Sequence, residues 1–323
     1  MHVDARLRAL RGDAASQRKA QETLERARDE WKRSAPIASA LVDLARWGEG
    51  AKLADCEMLA ELFGKGGLAR SVVGNLVRDQ LAALVLHPLG QVPFRHQLSD
   101  GLAILQLAQA GSAAMSLIAY EDRASLGAES AICFSDGERH EIVLAGAGEA
   151  EILTIVEERG DAVTFTRQSV ALGPGSSIYL AGAREAKRLT AIDSTVVVLR
   201  ISRTPVRPEP SRQFDLATGR LLHRASGDRR ESRHELAMAL LGRMKHPGAA
   251  SVFAGIAQDR EGSDHLRWQA LRECLALDTA AGFAALTRLA ADPADPLSRH
   301  ACPLRAHLIA AHPQLEELAR CPA

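Results

Sequence analysis

The chain has 323 residues with 40 basic and 40 acidic side chains, so its formal net charge is zero. A balanced chain creates no long-range field that would hold nucleic acid or an anionic membrane, and we expect neither as a partner. The first 20 residues are charged, and no stretch reaches the roughly 20 apolar residues that a membrane span requires. We therefore expect a cytoplasmic protein.

The cysteines are odd in number and show no CxxC spacing, which argues against a disulfide framework. Reduced, buried thiols are the expectation from this pattern. The residues concerned are Cys56, Cys133, Cys274, Cys302 and Cys321.

Residues 1–90 are predicted to be helical, because helix formers recur there with apolar residues at helical spacing. The first helix is expected to bury only a narrow stripe of Leu24, Ala27 and Trp31. Pro88 and Gly90 end the last helix of this region. The predicted helices are residues 13–33, 35–47, 53–63 and 68–87.

Residues 91–224 change to a period of two, in short β-rich segments separated by Gly, Asp or Ser. Gly160-Asp161 has hairpin spacing, and residues 215–219 join two further segments. Many short strands at close spacing predict an antiparallel sandwich or small barrel.

Residues 225–323 return to helices, which are arranged in pairs. Alignment of Asp259 with Asp292 gives a weak repeat of about 33 residues, which matches Phe253 with Leu286. A repeat of this length is typical of a HEAT-like α-solenoid, and a plain helical bundle remains the alternative.

The β region resembles the cupin superfamily over about residues 100–203. The resemblance is carried by HEIVLAGAGEAEI, which begins at His140, and by LGPGSSIYLAGAREAKRL (172–189). It implies a small antiparallel barrel, which in many relatives holds a metal on several histidines and one carboxylate. The predicted fold class is therefore α+β, with a central cupin-like β-barrel or sandwich between an N-terminal helical region and a C-terminal HEAT-like array.

The metal ligands that the resemblance implies are missing from this sequence. The first stretch offers only His140 and Glu141, and adjacent residues of a strand point to opposite faces. The second has Arg184 and Glu185 where a histidine is implied. One histidine with scattered acids cannot supply three or four ligands, so we expect no metal and no cofactor.

Two uses of the barrel interior remain open. An anionic small molecule is expected to meet Arg184 or Arg188, with His96 reaching the barrel mouth, although an exposed charged turn is the simpler interpretation of the arginines. In a catalytic barrel, His140 is the candidate general base, assisted by Glu141, Glu185 or Arg184.

The leading functional hypothesis is a non-catalytic binding, scaffolding or regulatory protein. Its barrel would sense a small ligand or form a homodimer, and its C-terminal helices would bind a protein partner. The alternative is a cupin-type isomerase, lyase or oxygenase acting on a small polar molecule. Effector sensing is a third possibility, and it requires an arginine inside the barrel.

Overall fold

The computed structural model describes residues 14–64, 67–88, 90–122, 129–246 and 248–315. The chain forms two compact units. The first unit comprises residues up to 206 together with 212–223, and the second comprises 207–211 and the residues from 224 onward. The predicted domain boundaries near residues 90 and 224 stay predictions.

The described part of the first unit begins with four helices. They are α1 (Ala14–Arg33), α2 (Ala35–Gly48), α3 (Glu57–Leu62) and α4 (Leu68–Leu86). Leu24 and Trp31 are buried as predicted, whereas Ala27 is only half-buried and Ala20, which the prediction did not include, is buried as well. The predicted start at Asp13 lies outside the described residues.

The predicted helix over residues 53–63 is wrong in detail. A 3₁₀ turn occupies Leu53–Asp55, and α3 begins only after Cys56, whose φ of −113° and ψ of 77° interrupt the helix. Asp43 makes the interruption possible, because its Oδ2 accepts a hydrogen bond of 2.8 Å from the backbone N–H of Met58. This bond satisfies a free donor in the first turn of α3.

In the described residues, ten strands form two antiparallel sheets, in the orders β1-β2-β3-β8-β5-β6, with β7 also paired to β5, and β10-β9-β4. The mixed architecture with antiparallel sheets is thus confirmed, and closure into a barrel stays a prediction. The strands are β1 (Arg95–Ser99), β2 (Leu102–Ala110), β3 (Ala113–Tyr120), β4 (Ala131–Phe134), β5 (Glu138–Arg159), β6 (Ala162–Leu172), β7 (Ser177–Ala181), β8 (Glu185–Arg203), β9 (Ser211–Asp215) and β10 (Leu221–Ala225).

The segments from His140 and from Ala150, predicted as separate strands, are one continuous strand, β5. The glycines between them form a bend instead of a loop. Gly146 has a φ of +86°, and a Cβ there would lie 2.0 Å from the carbonyl oxygen of Thr195 in β8. Only glycine permits this close approach of two backbones.

The bend gives β5 two halves with different neighbours. The first half pairs with β7 and the end of β8, and the second half pairs with β6 and the start of β8. Val143 and Val198 pack between the halves with Ala150 and Leu172. On the other face, Ile142 packs in a core that also contains residues of α2, α3 and α4. The N-terminal helices therefore cover one face of the larger sheet.

Both predicted turns are confirmed. Arg159 pairs with Ala162 across the Gly160-Asp161 hairpin. In the turn between β9 and β10, Asp215 accepts a hydrogen bond of 3.2 Å from the backbone N–H of Ala217, two residues on, which closes an Asx turn.

The second unit contains five helices among its described residues: α5 (Arg229–Arg243), α6 (Ala249–Gln258), α7 (Asp264–Leu277), α8 (Thr279–Ala291) and α9 (Ser298–Ala311). Asp259 and Asp292, which the sequence comparison aligned, directly follow α6 and α8. Arg267 of α7 is 2% exposed and forms an ion pair with Asp295, which is also buried. A HEAT-like array stays a proposal for these helices.

Cys56 and Cys274 are buried, whereas Cys133 and Cys302 are exposed, so the expectation of buried thiols is wrong for two of the four described cysteines. Cys302 is exposed although its Sγ lies 3.3 Å from the carbonyl oxygen of Ala290 in α8. Cys321 lies outside the described residues.

None of the described helices combines the length and the apolar character needed to cross a membrane.

Candidate ligand-binding cavity

A cavity of about 190 Å³ lies in the first unit, on the face of the larger sheet that carries Glu141. Its wall combines apolar side chains with an unusual density of charge. Four cations and three carboxylates line it: Arg139, Lys187, Arg188 and Arg200, with Glu121, Glu129 and Glu141.

The strand register brings the charged groups together. Glu141 in β5 lies directly opposite Arg200 in β8, so both side chains point to the same face. Arg139 is two residues before Glu141 and shares that face by the alternation of a strand. Lys187 comes from the other half of β8, beyond the bend.

Glu141 is the buried centre of this group, with 2% of its side chain exposed. Arg200 donates to its Oε1 from Nε at 2.7 Å and from Nη2 at 2.6 Å. Lys187 forms a second ion pair, with Oε2. Arg200 also donates a hydrogen bond of 2.9 Å to the hydroxyl of Tyr120. Both carboxylate oxygens are therefore engaged by cations.

The two cations keep Glu141 ionised. Burial alone would raise the pKa of its carboxyl group, because the charged form loses hydration. The charges and hydrogen bonds of Lys187 and Arg200 outweigh that effect and hold the pKa below its ordinary value. The carboxylate is thus a fixed negative charge within the wall.

Arg139 is in the opposite situation. Its guanidinium donates from Nη2 to the carbonyl oxygen of Ser135 at 3.1 Å and forms no ion pair with any residue that the structure describes. Burial and repulsion by Arg200 lower the pKa of Arg139. The cavity wall therefore contains a partly buried cation that forms no ion pair within the described parts of the chain, although the charge of Glu141 attracts it.

His140 and Glu141 lie on opposite faces of β5, as the alternation predicts. The His140 ring lies 4.6 Å from that of Tyr179 and packs near Trp47 on the helix-covered face. Its Nε2 lies 2.9 Å from a carboxylate oxygen of Glu138. His140 is therefore not among the lining residues of the cavity.

The other sequence-predicted residues are dispersed. Arg188 lines the cavity. Arg184 is 52% exposed and donates to the carbonyl oxygen of Ile155, outside the cavity. Glu185 accepts a hydrogen bond of 2.9 Å from the backbone N–H of Ala181. His96 lies on β1, in a separate groove on the helix-covered face.

Sequence reasoning did not select Arg139, Lys187, Arg200 and Tyr120 as site residues. One available signal was Arg200, which interrupts the apolar run TVVVLRIS (195–202). A charge inside such a run is costly unless it has a partner, and it predicts a buried polar contact. The partners themselves could not be found, because the bend in β5 and β8 decides which residues meet.

The residues present do not fit the metal site that the cupin resemblance implies. No group of three or more His, Cys, Asp or Glu side chains suited to a metal ion occurs in the described parts of the chain. Glu141 is already held by two cations. We derive no chemistry through a metal here.

No family model matches the chain, and no curated protein matches it. Solved structures that are similar to part of it include KdgF from a Halomonas species, at 15% identity and a TM-score of 0.25, over 35% of this chain and 88% of that one.

Two further structures are described as cupins. A cupin superfamily protein from Desulfitobacterium hafniense is 18% identical over 34% of this chain and 83% of its own, with a TM-score of 0.23. The CENP-C cupin domain of Drosophila melanogaster is 15% identical over 36% and 89%, with a TM-score of 0.26.

Proposed function

We propose that this protein is a non-catalytic binding or regulatory protein whose first unit binds a small anionic molecule in the charged cavity. The observation that carries the proposal is Arg139, a partly buried guanidinium on the cavity wall without an ion-pair partner among the described residues. A buried charge is costly unless it is paired. An entering anion would supply the missing counterion.

The neighbouring carboxylate does not remove this attraction. Glu141 is already shared by Lys187 and Arg200, and burial fixes it between them. An anion at Arg139 would also meet the outer N–H groups of Arg200, which is 22% exposed. Guanidinium groups bind carboxylates and phosphates through paired hydrogen bonds, so these two anion types are the best candidates.

The size of the cavity limits the ligand. Its volume of about 190 Å³ is below the range of about 300–1,000 Å³ that is typical of drug-sized ligands. The expected ligand is therefore a phosphate-bearing or carboxylate-bearing molecule of few atoms.

The test is a thermal-stability titration of the full chain with phosphate, acetate and succinate, each against sodium chloride at matched ionic strength. We expect at least one of the three anions to raise the melting temperature of the wild-type protein, because ligand that binds only the folded state stabilises it. Arg139→Met should abolish the rise. Arg159→Met is the matched control, because Arg159 is 81% exposed and pairs with Glu157 in a hairpin away from the cavity lining.

The proposal fails if none of the three anions stabilises the wild-type chain beyond chloride, or if Arg139→Met responds as the wild type does.

No observation favours the enzyme alternative. Its candidate base, His140, packs against Tyr179 and Trp47 and is not placed to act on a molecule in this cavity.

We also propose that the helices of the second unit bind a protein partner. The support is an exposed apolar stripe formed by Leu236 and Leu240 on α5 and by Met244, the residue that caps its C-terminal end, at spacings of four residues. Exposed contiguous apolar surface of this kind is characteristic of interaction sites. The HEAT-like arrangement of α6 to α9 belongs to the same proposal.

A further inference from the structure

Strand β1 ends the larger sheet and pairs only with β2 among the described strands. All five of its residues, Arg95–Ser99, are exposed. Its outer edge therefore presents backbone N–H and C=O groups to solvent, with no pairing strand in the part of the chain that the structure describes. Such an edge is a template for strand addition.

Strand β1 has two features that protect an edge, its length of only five residues and the charged Arg95, but it lacks others. It contains no lysine, no proline and no irregularity in its pairing with β2. The opposite edge, β6, is different. An isolated bridge between Ala162 and Arg220 and a hydrogen bond from Val163 N–H to the Gly219 carbonyl continue the pairing at its start. The two ends of the sheet are thus not equivalent.

An apolar groove of about 640 Å³ lies beside this free edge. His96 and Leu98 of β1 and Val77 of α4 line it, and Leu98 is 75% exposed. Val77 continues into an exposed stripe with Leu81 and Val85, at i, i+4 and i+8 of the helix. The edge therefore offers both hydrogen bonds and apolar area.

We propose that a second copy of this chain docks on this surface, with β1 pairing antiparallel to β1 of the other copy around a two-fold axis through Gln97. In this register Gln97 faces Gln97 and Arg95 faces Ser99. Residues directly opposite in a sheet point to the same face, so His96 faces Leu98 and the apolar sides of both strands coincide. The two grooves then meet across the axis.

Charge supports a second copy as the occupant. The register places no like charges directly opposite each other, since Arg95 meets a neutral serine. The formal net charge of the chain is zero, so two copies do not repel each other at long range. An antiparallel edge is also self-complementary, as a closed two-fold dimer requires. This inference does not rest on the anion-binding proposal.

The experiment uses the full chain and sedimentation velocity over a range of protein concentrations. We expect a concentration-dependent dimer for the wild type. Gln97→Glu and Gln97→Lys each place like charges opposite one another across the axis and should each weaken the dimer by about tenfold or more. An equimolar mixture of the two variants should restore dimerisation, because the charges then attract.

Gln168→Glu is the matched control, since Gln168 is exposed on the other edge strand, β6, and its dimerisation should equal that of the wild type. A wild-type chain that stays monomeric at every concentration overturns the proposal and leaves the edge to a different partner. A dimer that is insensitive to both Gln97 substitutions, or that the mixture does not restore, overturns it as well, because the interface then lies elsewhere. Gln97 is exposed, so the variants should fold as the wild type does.

Discussion

Glu141 is the residue on which the charged cavity depends. Lys187 and Arg200 both contact its carboxylate in a buried position. Glu141→Gln would leave two cations without a counterion, and removal of one partner from a buried ion pair costs about 3–5 kcal/mol. We expect a loss of that size in the free energy of unfolding, measured by denaturant titration.

An exposed ion pair provides the comparison. Glu157→Gln removes a carboxylate that pairs with Arg159 at the surface, and we expect a loss of less than about 1 kcal/mol. Equal losses in the two variants would contradict the assignment of Glu141 as the centre of a buried network.

The pH dependence of stability should report the same carboxylate. The pKa of Glu141 in the folded protein lies below its ordinary value, because Lys187 and Arg200 outweigh the effect of burial. The stabilisation from Glu141 is therefore complete above the ordinary glutamate pKa and is lost as the pH falls through the folded pKa. Between those two values, the wild-type chain should lose more unfolding free energy than Glu141→Gln, in parallel denaturant titrations.

At the scale of elements, the bend in β5 decides which residues face the cavity. Gly146→Ala would place a Cβ against the carbonyl oxygen of Thr195 at a φ of +86°. We expect a loss of about 2 kcal/mol or more in unfolding free energy, because both the backbone conformation and the contact are unfavourable. Gly173→Ala should be neutral in the same assay, since nothing lies within 4 Å of its added Cβ and its φ is ordinary.

In the second unit, a buried ion pair joins Arg267 of α7 to Asp295. Arg267 also donates from Nε to the carbonyl oxygen of Ala257 at 3.2 Å. Arg267→Met leaves a buried carboxylate unpaired, and we expect a cost of about 3–5 kcal/mol. Arg260→Met is the comparison, because it breaks an ion pair at the surface, in which the Arg260 side chain is 57% exposed and the Asp292 side chain 37%. It should lower the free energy of unfolding by less than about 1 kcal/mol, measured by thermal or denaturant unfolding.

At the scale of the whole molecule, the zero net charge has a consequence for self-association. Interactions between exposed charges are screened by salt, and two neutral copies have little net repulsion or attraction to screen. The dissociation constant of the proposed wild-type dimer should change by less than about threefold between about 0.05 and 0.5 M sodium chloride. The dissociation constant of the dimer of mixed Gln97→Glu and Gln97→Lys chains should rise over the same range of salt concentration, measured by sedimentation velocity.

Most of the elements could be predicted from local pattern. The period of two located the strands, and Gly160-Asp161 located a hairpin, because these signals depend only on neighbouring residues. The break at Cys56 could not be predicted, since it depends on the distant carboxylate of Asp43. The continuity of β5 through Gly146 was missed for a similar reason, because glycines between strands ordinarily mark a turn.

The sequence by itself determined the chemical types that are available: a balanced charge, too few histidines for the metal site that the resemblance implies, and opposite faces for His140 and Glu141. Tertiary structure alone decided that Glu141 meets Lys187 and Arg200 and that Arg139, on the same cavity wall, forms no ion pair with the described residues. The reason is physical. Alternation along a strand is local, whereas a cavity forms where strands from distant parts of the chain are brought together by register and by a bend.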